Sequence, residues 1–350
     1  MKMAVIIIVL CAGFFVACTM IGFKRYSLVF FRTNGFRQNE FYSFFTLEEL
    51  ERAGYQREEA GFYSGKNKLQ GFIFGGANNR GLVIISHGLG STAESYTSLI
   101  MHFVDKGWRV FAFNNTGVAG SEGKGTRGLY QSALDLEAAL SYAENAEALK
   151  DLPVMLAGHS WGGFAVCAVL NYGHKVNAVV SFAGYNSGIE VLDELGLRST
   201  GGIYHITAPQ IRFLQKLLFG DAVKLTAIDG INKSNVPVMI VQCSDDDLIP
   251  AASTSIYAHR EKITNPHVRI IFRDGENATG HEYVFGSVRQ KEYRAQLDES
   301  WEKYRAEHKD ASQFQWAEEI NYDKALANEL DPDLMEKIDA FFSSAGKPSL

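Results

Sequence analysis

Residues 153–166 read PVMLAGHSWGGFAV. A short apolar run, Pro153 to Ala157, passes directly into Gly158-His159-Ser160-Trp161-Gly162, a G-x-S-x-G pattern, and then into the helix-compatible residues GGFAVCAVLNY. This is the composition of a strand that turns sharply into a helix. Packing such a turn tightly enough to present the Ser160 hydroxyl leaves almost no room for side chains two residues to either side, a condition that Gly158 and Gly162 meet. The N-terminus of the following helix favours negative charge developing nearby. A helix cap is the competing reading of Ser160. It accounts for a serine before a helix but leaves the two glycines unexplained, so the surroundings must decide.

Around this junction apolar runs alternate with helical segments. LQGFIF, GLVIISH, WRVFAFN, VNAVVSFAG, VPVMIVQC and VRIIFRD read as strands together with PVMLAGHS. Their continuous Val, Ile and Phe content predicts strands covered on both faces. Helices are expected at about 91–105, 128–148, 162–173 and 252–262. The alternation implies an α/β domain over residues 59–350, a mostly parallel central sheet with helices on both faces. Two insertions interrupt it. Residues 188–235 contain QIRFLQKLLF with apolar positions at helical spacing, a candidate cap for which lateral packing is the other reading. In the charged segment 289–330, Tyr293, Leu297, Trp301 and Tyr304 form one apolar stripe expected to dock on the domain.

A serine hydroxyl is a weak nucleophile at neutral pH and needs a base that a third group orients. Of the nine histidines, His281 follows the strand VRIIF after a loop, in NATGHEYVF. His267 precedes that strand and His259 falls in an expected helix, so both are expected to face solvent. The acid is expected where VPVMIVQC ends, in Ser244-Asp245-Asp246-Asp247-Leu248-Ile249-Pro250, and spacing alone leaves the three carboxylates open. Backbone N–H donors for an oxyanion are expected from Leu89, in the small-residue loop His87-Gly88-Leu89-Gly90, and from Trp161 beside the serine. His87 itself reads as structural.

In this order the motifs resemble the α/β-hydrolase superfamily over roughly residues 60–345. GHSWGG is similar to its nucleophile elbow, SHGLG to its oxyanion loop, CSDDDLIP to its acid loop and TGHEY to its histidine loop. The family's acid-loop pattern, G-x-x-D-x-x-x-P, implies Asp246 as the acid, with Cys243 standing in place of the glycine. NNTGVAGSEG is similar to the family's D-x-R-G-x-G-x-S-x-G at Gly117, Ser121 and Gly123 and departs from it at Asn114, Thr116 and Ala119. The resemblance implies a serine hydrolase that cleaves a carboxylic ester through an acyl-enzyme, with a Ser160-His281-Asp246 triad, Leu89 and Trp161 as oxyanion donors, and neither cofactor nor metal. Ser-Trp-Gly-Gly is also similar to the elbow of proline iminopeptidases, which makes a serine aminopeptidase acting on a peptide-like substrate the alternative. Such an enzyme needs an acidic group for the substrate amine, for which Glu190, Asp193 and Glu194 are candidates, a solvated helix face being their plainer reading. An alternative of another class is a membrane-tethered, non-catalytic protein that binds a partner or lipid through residues 289–330.

The chain-wide composition is that of a folded protein, 46% hydrophobic and 21% charged. A net charge of −6 with dispersed basic residues argues against a nucleic-acid partner. Cys11, Cys18, Cys167 and Cys243 lie far apart without a CxxC pair, against both a disulfide framework and a zinc site. Ala4 to Phe23 runs 20 residues without a charge and ends at Lys24-Arg25, long enough to span a bilayer. A single-pass N-terminal membrane anchor over residues 1–23 is expected, with a cleaved secretory signal or a lipoprotein signal processed at Ala17-Cys18 as alternatives. Lys24, Arg25, Arg32 and Arg37 outnumber Lys2 and the amino terminus, which points the domain toward the cytoplasm. Residues 24–58 read as a membrane-proximal connector.

Overall fold

The computed structural model of the chain describes residues 2–31, 45–309 and 312–346. Eight strands form one sheet in the order β1-β2-β4-β3-β5-β6-β7-β8. β1 (Arg57–Ser64) and β2 (Asn67–Phe74) make an antiparallel hairpin, and β2 also pairs antiparallel with β4 (Arg109–Phe113). From β4 onward the sheet is parallel, through β3 (Leu82–Ser86), β5 (Val154–His159), β6 (Ala178–Phe182), β7 (Val238–Cys243) and β8 (Val268–Arg273). All seven strands expected from the sequence are present. β3, β5, β6 and β7 are buried at every residue, as strands covered on both faces must be. β1 is the unexpected strand. It buries Ala60, Phe62 and Ser64 and exposes Glu58, Glu59 and Tyr63, so a charged edge strand offers little apolar signal.

Eleven α-helices lie among the described residues: α1 (Lys2–Phe30), α2 (Leu47–Arg52), α3 (Thr97–Asp105), α4 (Gln131–Asn145), α5 (Trp161–Ala168), α6 (Gly188–Thr200), α7 (Tyr204–Phe219), α8 (Ala227–Ser234), α9 (Val288–Glu307), α10 (Gln313–Ile320) and α11 (Pro332–Ala345). α4, α5 and α8 supply Leu136, Phe164 and Ile231 to the core on one face of the sheet. α3 and α11 supply Phe103, Ile338 and Phe342 to the core on the other. The helix expected at 252–262 is only a 3-10 turn, Tyr257–Lys262. Its preceding residues are diverted instead to the loop after β6: Asn186 N–H donates to the Thr254 carbonyl and Ile256 N–H to the Gly184 carbonyl, both at 2.9 Å.

Within the 188–235 insertion, α6 and α7 stand over the carboxyl edge of the sheet, while α8 belongs to the body. Gly230 of α8 lies so close to the Cys167 carbonyl of α5 that a Cβ would overlap it. The stripe on α9 does not dock on the sheet domain as expected. Leu297 and Trp301 close on Trp316 and Ala317 of α10, with the two indole centroids 5.8 Å apart, and form a small satellite core. Gln290 and Arg294 of α9 both donate to the Ala327 carbonyl in the turn Leu326–Asn328, and Lys291 pairs with Asp245 in the loop after β7.

The largest departure from expectation is the end of the N-terminal helix. It continues through Lys24-Arg25 to Phe30, so the uncharged run and the residues that enter the domain share one helix. Tyr26 and Phe30 are core residues of the domain. The Tyr26 hydroxyl donates to the Arg127 carbonyl (2.6 Å) and accepts from Gln215 of α7 (2.7 Å), and Arg127 N–H donates to the Phe30 carbonyl (2.9 Å). Gly13–Phe30 has the length and apolarity of a membrane span or a signal sequence, with a mean hydropathy of 1.2, but its last turns are spent on the domain. Arg32 and Arg37, which entered the orientation argument, lie outside the described residues.

Candidate active site

Five positions singled out from the sequence, Leu89, Ser160, Trp161, Asp246 and His281, all fall at or just past the carboxyl ends of parallel strands. Ser160 sits between β5 and α5 at φ 55°, ψ −110°, a conformation rare for a residue with a side chain, which costs of order 1–3 kcal/mol and must be held by its surroundings. Its N–H donates to the Phe182 carbonyl of β6 (2.8 Å), and its carbonyl accepts from Phe164 N–H (2.9 Å). A Cβ on Gly158 would overlap the Gly162 carbonyl, and one on Gly162 the Ser86 carbonyl of β3, which is why both flanks are glycine. The Ser160 side chain makes no capping bond to α5. The hydroxyl is left to the cleft.

Asp246 is buried in the loop after β7. Its Oδ1 accepts the N–H groups of Leu248 (3.1 Å) and Ile249 (2.8 Å). Its Oδ2 accepts Gln242 Nε2 (3.1 Å) and His281 Nδ1 (2.8 Å). The other two carboxylates of the acidic run go elsewhere. Asp245 accepts Gly280 N–H and Lys291 Nζ, both at 2.8 Å, and so fastens the loop that carries His281; Asp247 is exposed. His267 is also exposed, while His259 is half-buried, its ring bonded to the Ser255 carbonyl.

Two residues not assigned from the sequence tie the loops together. The His281 carbonyl can only accept, so the proton of His159 sits on Nε2 and is donated to it (3.0 Å). His159 Nδ1 then accepts from the Tyr96 hydroxyl (2.7 Å), which in turn accepts Gly88 N–H (2.9 Å). This chain links the loop after β3, the serine turn and the histidine loop. His87 is structural, as expected: its Nε2 accepts Asn115 N–H (3.0 Å), leaving Nδ1–H for the Gly88 carbonyl (2.8 Å). No local pattern marks Tyr96 or His159, because their partners are distant in sequence.

Burial keeps both imidazoles neutral. It lowers the pKa of His87 to about 4 and that of His159 to about 3, the latter helped by the neighbouring charge of His281. In the unfolded chain each takes a proton near the ordinary value of 6.5, so between those pH values the unfolded state binds more protons and stability rises with pH. Lowering the pH from 6.5 toward 4 is therefore expected to lower the unfolding free energy read from denaturant titration, by at most about 1 kcal/mol per pH unit for each imidazole. His159→Gln is expected to flatten this dependence; an equal slope in variant and wild type contradicts the assignment.

Ser160, His281, Leu89 and Trp161 line one cleft of about 340 Å³. Its remaining walls are mainly apolar, from Tyr26 and Val29 of α1, Leu192 and Leu195 of α6, Ile211 of α7, and Leu248. Among the described residues, no backbone carbonyl accepts the N–H of Leu89 or of Trp161, so both amides remain available as donors. Glu190, Asp193 and Glu194 do not line the cleft: they bond to Asn186, to Tyr204 and Arg212, and to Ser253 and Arg198. Glu282, exposed, is the carboxylate that does. No group of three or more metal-ligating side chains is gathered among the described residues.

Over residues 77–225 the chain matches the family described as serine aminopeptidase, S33. The uncharacterized protein YqkD of Bacillus subtilis (strain 168) is 25% identical over 244 residues, 68% of this chain and 77% of that protein. Among solved structures, an esterase of Pyrococcus furiosus superposes with a TM-score of 0.53 at 18% identity, covering 71% of this chain and 92% of its own. An α/β-hydrolase from Vibrio vulnificus does so with a TM-score of 0.51 at 19% identity, covering 72% and 84%. At such identities the two structures speak to the fold alone.

Proposed function

We propose that the chain is a member of the α/β-hydrolase superfamily, a membrane-anchored serine hydrolase that cleaves carboxylic esters. The observation that carries this reading is the buried Asp246–His281 pair at 2.8 Å, set in the same apolar cleft as the strained Ser160. In the proposed reaction His281 Nε2 takes the Ser160 proton as Oγ attacks the acyl carbon, and Asp246 holds Nδ1–H and stabilises the imidazolium. The N–H groups of Leu89 and Trp161 bind the tetrahedral oxyanion, an interaction worth about 3–4 kcal/mol per donor in such sites. The proton on His281 passes to the departing alcohol. Water, deprotonated by the same imidazole, then attacks the acyl-enzyme, and the acid leaves as His281 returns the proton to Ser160 Oγ.

An aminopeptidase is the second reading, favoured by the description of the matching family. The cleft supports it less, because the acidic residues of α6 are engaged outside and Glu282 stands exposed. A substrate amine would be left without a buried partner, which penalises binding heavily. A panel of p-nitrophenyl acyl esters beside aminoacyl p-nitroanilides tests the choice. Esters are expected to show at least about a 100-fold higher kcat/KM; a preference for the aminoacyl amides reverses the ranking.

The anchor reading is supported by 20 uncharged residues ahead of Lys24-Arg25, and by a helix whose end is built into the domain core. A secretory signal is removed at its carboxyl end. Here that end packs in the core and forms a wall of the cleft, so removal would open both.

A further inference from the structure

The uncharged run Ala4–Phe23 is about 30 Å long as a helix, the thickness of a bilayer's hydrocarbon core, and is bounded by Lys2 and by Lys24-Arg25. Its last turns are not free. Cys18 is buried, Gly22 faces Thr207 of α7, and Gln210 of α7 donates to the Thr19 hydroxyl (3.4 Å). Since α7 touches the anchor inside its span, the cap is held at the membrane surface and not at the end of a tether.

On α7, Phe213 and Leu217 are 71% and 72% exposed, and Ile203, in the turn that leads into the helix, is 51% exposed. With Ile206 and Gln210 they follow one another at alternating spacings of three and four residues, which makes one stripe along the helix. Gln210, in the middle of that stripe, donates to Thr19 of α1. Large apolar side chains this exposed beside a membrane span have the bilayer surface as their continuous neighbour. The cleft's rim is apolar as well: its lining residues Val29, Leu195 and Leu248 are 52%, 45% and 50% exposed. Val29 lies one helical turn, about 6 Å, beyond Arg25, the charge that marks the head-group level.

We propose that the exposed side of α7 rests in the surface of the bilayer that holds α1, and that the substrate is a single-chain acyl ester lipid passing from that bilayer into the cleft between α1 and the cap. A cleft of about 340 Å³ is at the small end for ligand sites, which favours a substrate with one acyl chain over one with two. This inference rests on the anchored serine-hydrolase reading above.

The test uses the full-length protein reconstituted into dimyristoylphosphatidylcholine vesicles containing 1-oleoylglycerol, with p-nitrophenyl butyrate as the soluble substrate in the same samples. Oleate release is expected to far exceed myristate release. The double variant Phe213→Glu, Leu217→Glu, both outside the cleft, is expected to lose about tenfold or more in oleate release while turnover of the soluble ester stays within about twofold. Unchanged oleate release in the variant, or equal loss on both substrates, overturns the docking surface, and myristate release at the oleate rate overturns the single-chain assignment. A wild-type protein that cleaves the soluble ester but not 1-oleoylglycerol overturns this inference alone; one that cleaves neither overturns the serine-hydrolase reading beneath it.

Discussion

Ser160→Ala is expected to lower kcat/KM toward a soluble ester by about 10⁴- to 10⁶-fold, the range found when a triad nucleophile is removed. The hydroxyl makes no capping bond to α5, so the thermal midpoint should move little. What fixes the turn is the backbone, through the bonds of Ser160 to Phe182 and Phe164 and the absence of side chains at Gly158 and Gly162. Steady-state kinetics beside a melting curve separate the two quantities. A loss of less than tenfold in a folded variant is incompatible with Ser160 as the nucleophile.

The second large effect is expected at Asp246. In Asp246→Asn the side-chain oxygen can still accept the Leu248 and Ile249 amides, so the loop keeps its shape. The new NH₂ group, however, meets His281 Nδ1 as a donor and moves the imidazole proton to Nε2, the nitrogen that must be free to accept the serine proton. It also faces Gln242 Nε2, another donor. A fall of about 10⁴-fold in kcat is expected. Asp245→Asn should act more mildly, since it loosens the Gly280 and Lys291 contacts without touching the imidazole. Equal losses in the two variants would reopen the choice among the three carboxylates.

Much of this arrangement was legible in the sequence because it is local. Strands buried on both faces announce themselves as apolar runs; the loops after β3, β5 and β7 carry their residues within three positions of the strand end, and the loop after β8 carries His281 eight positions on. The parts that were not legible depend on partners far along the chain. β1 is an edge strand with glutamates on its exposed side. The Gly88–Tyr96–His159–His281 chain of hydrogen bonds joins three loops whose adjacency exists only once the sheet has formed. The α9 stripe gave its period but not its partner, which proved to be Trp316 on α10. At the N-terminus, Lys24-Arg25 looked like the end of a membrane span, yet the helix runs on, because Tyr26 and Phe30 find places in the domain core. Charge marks where a helix meets head groups; it does not mark where the helix stops.

The central claim, that Ser160 is the residue acylated during turnover, is tested most directly by treating the full-length protein with a fluorophosphonate and mapping the adduct by peptide mass spectrometry. The account predicts one adduct, on Ser160, absent from Ser160→Ala and strongly reduced in His281→Ala. An adduct on any other residue, or full labelling of Ser160→Ala, would contradict it.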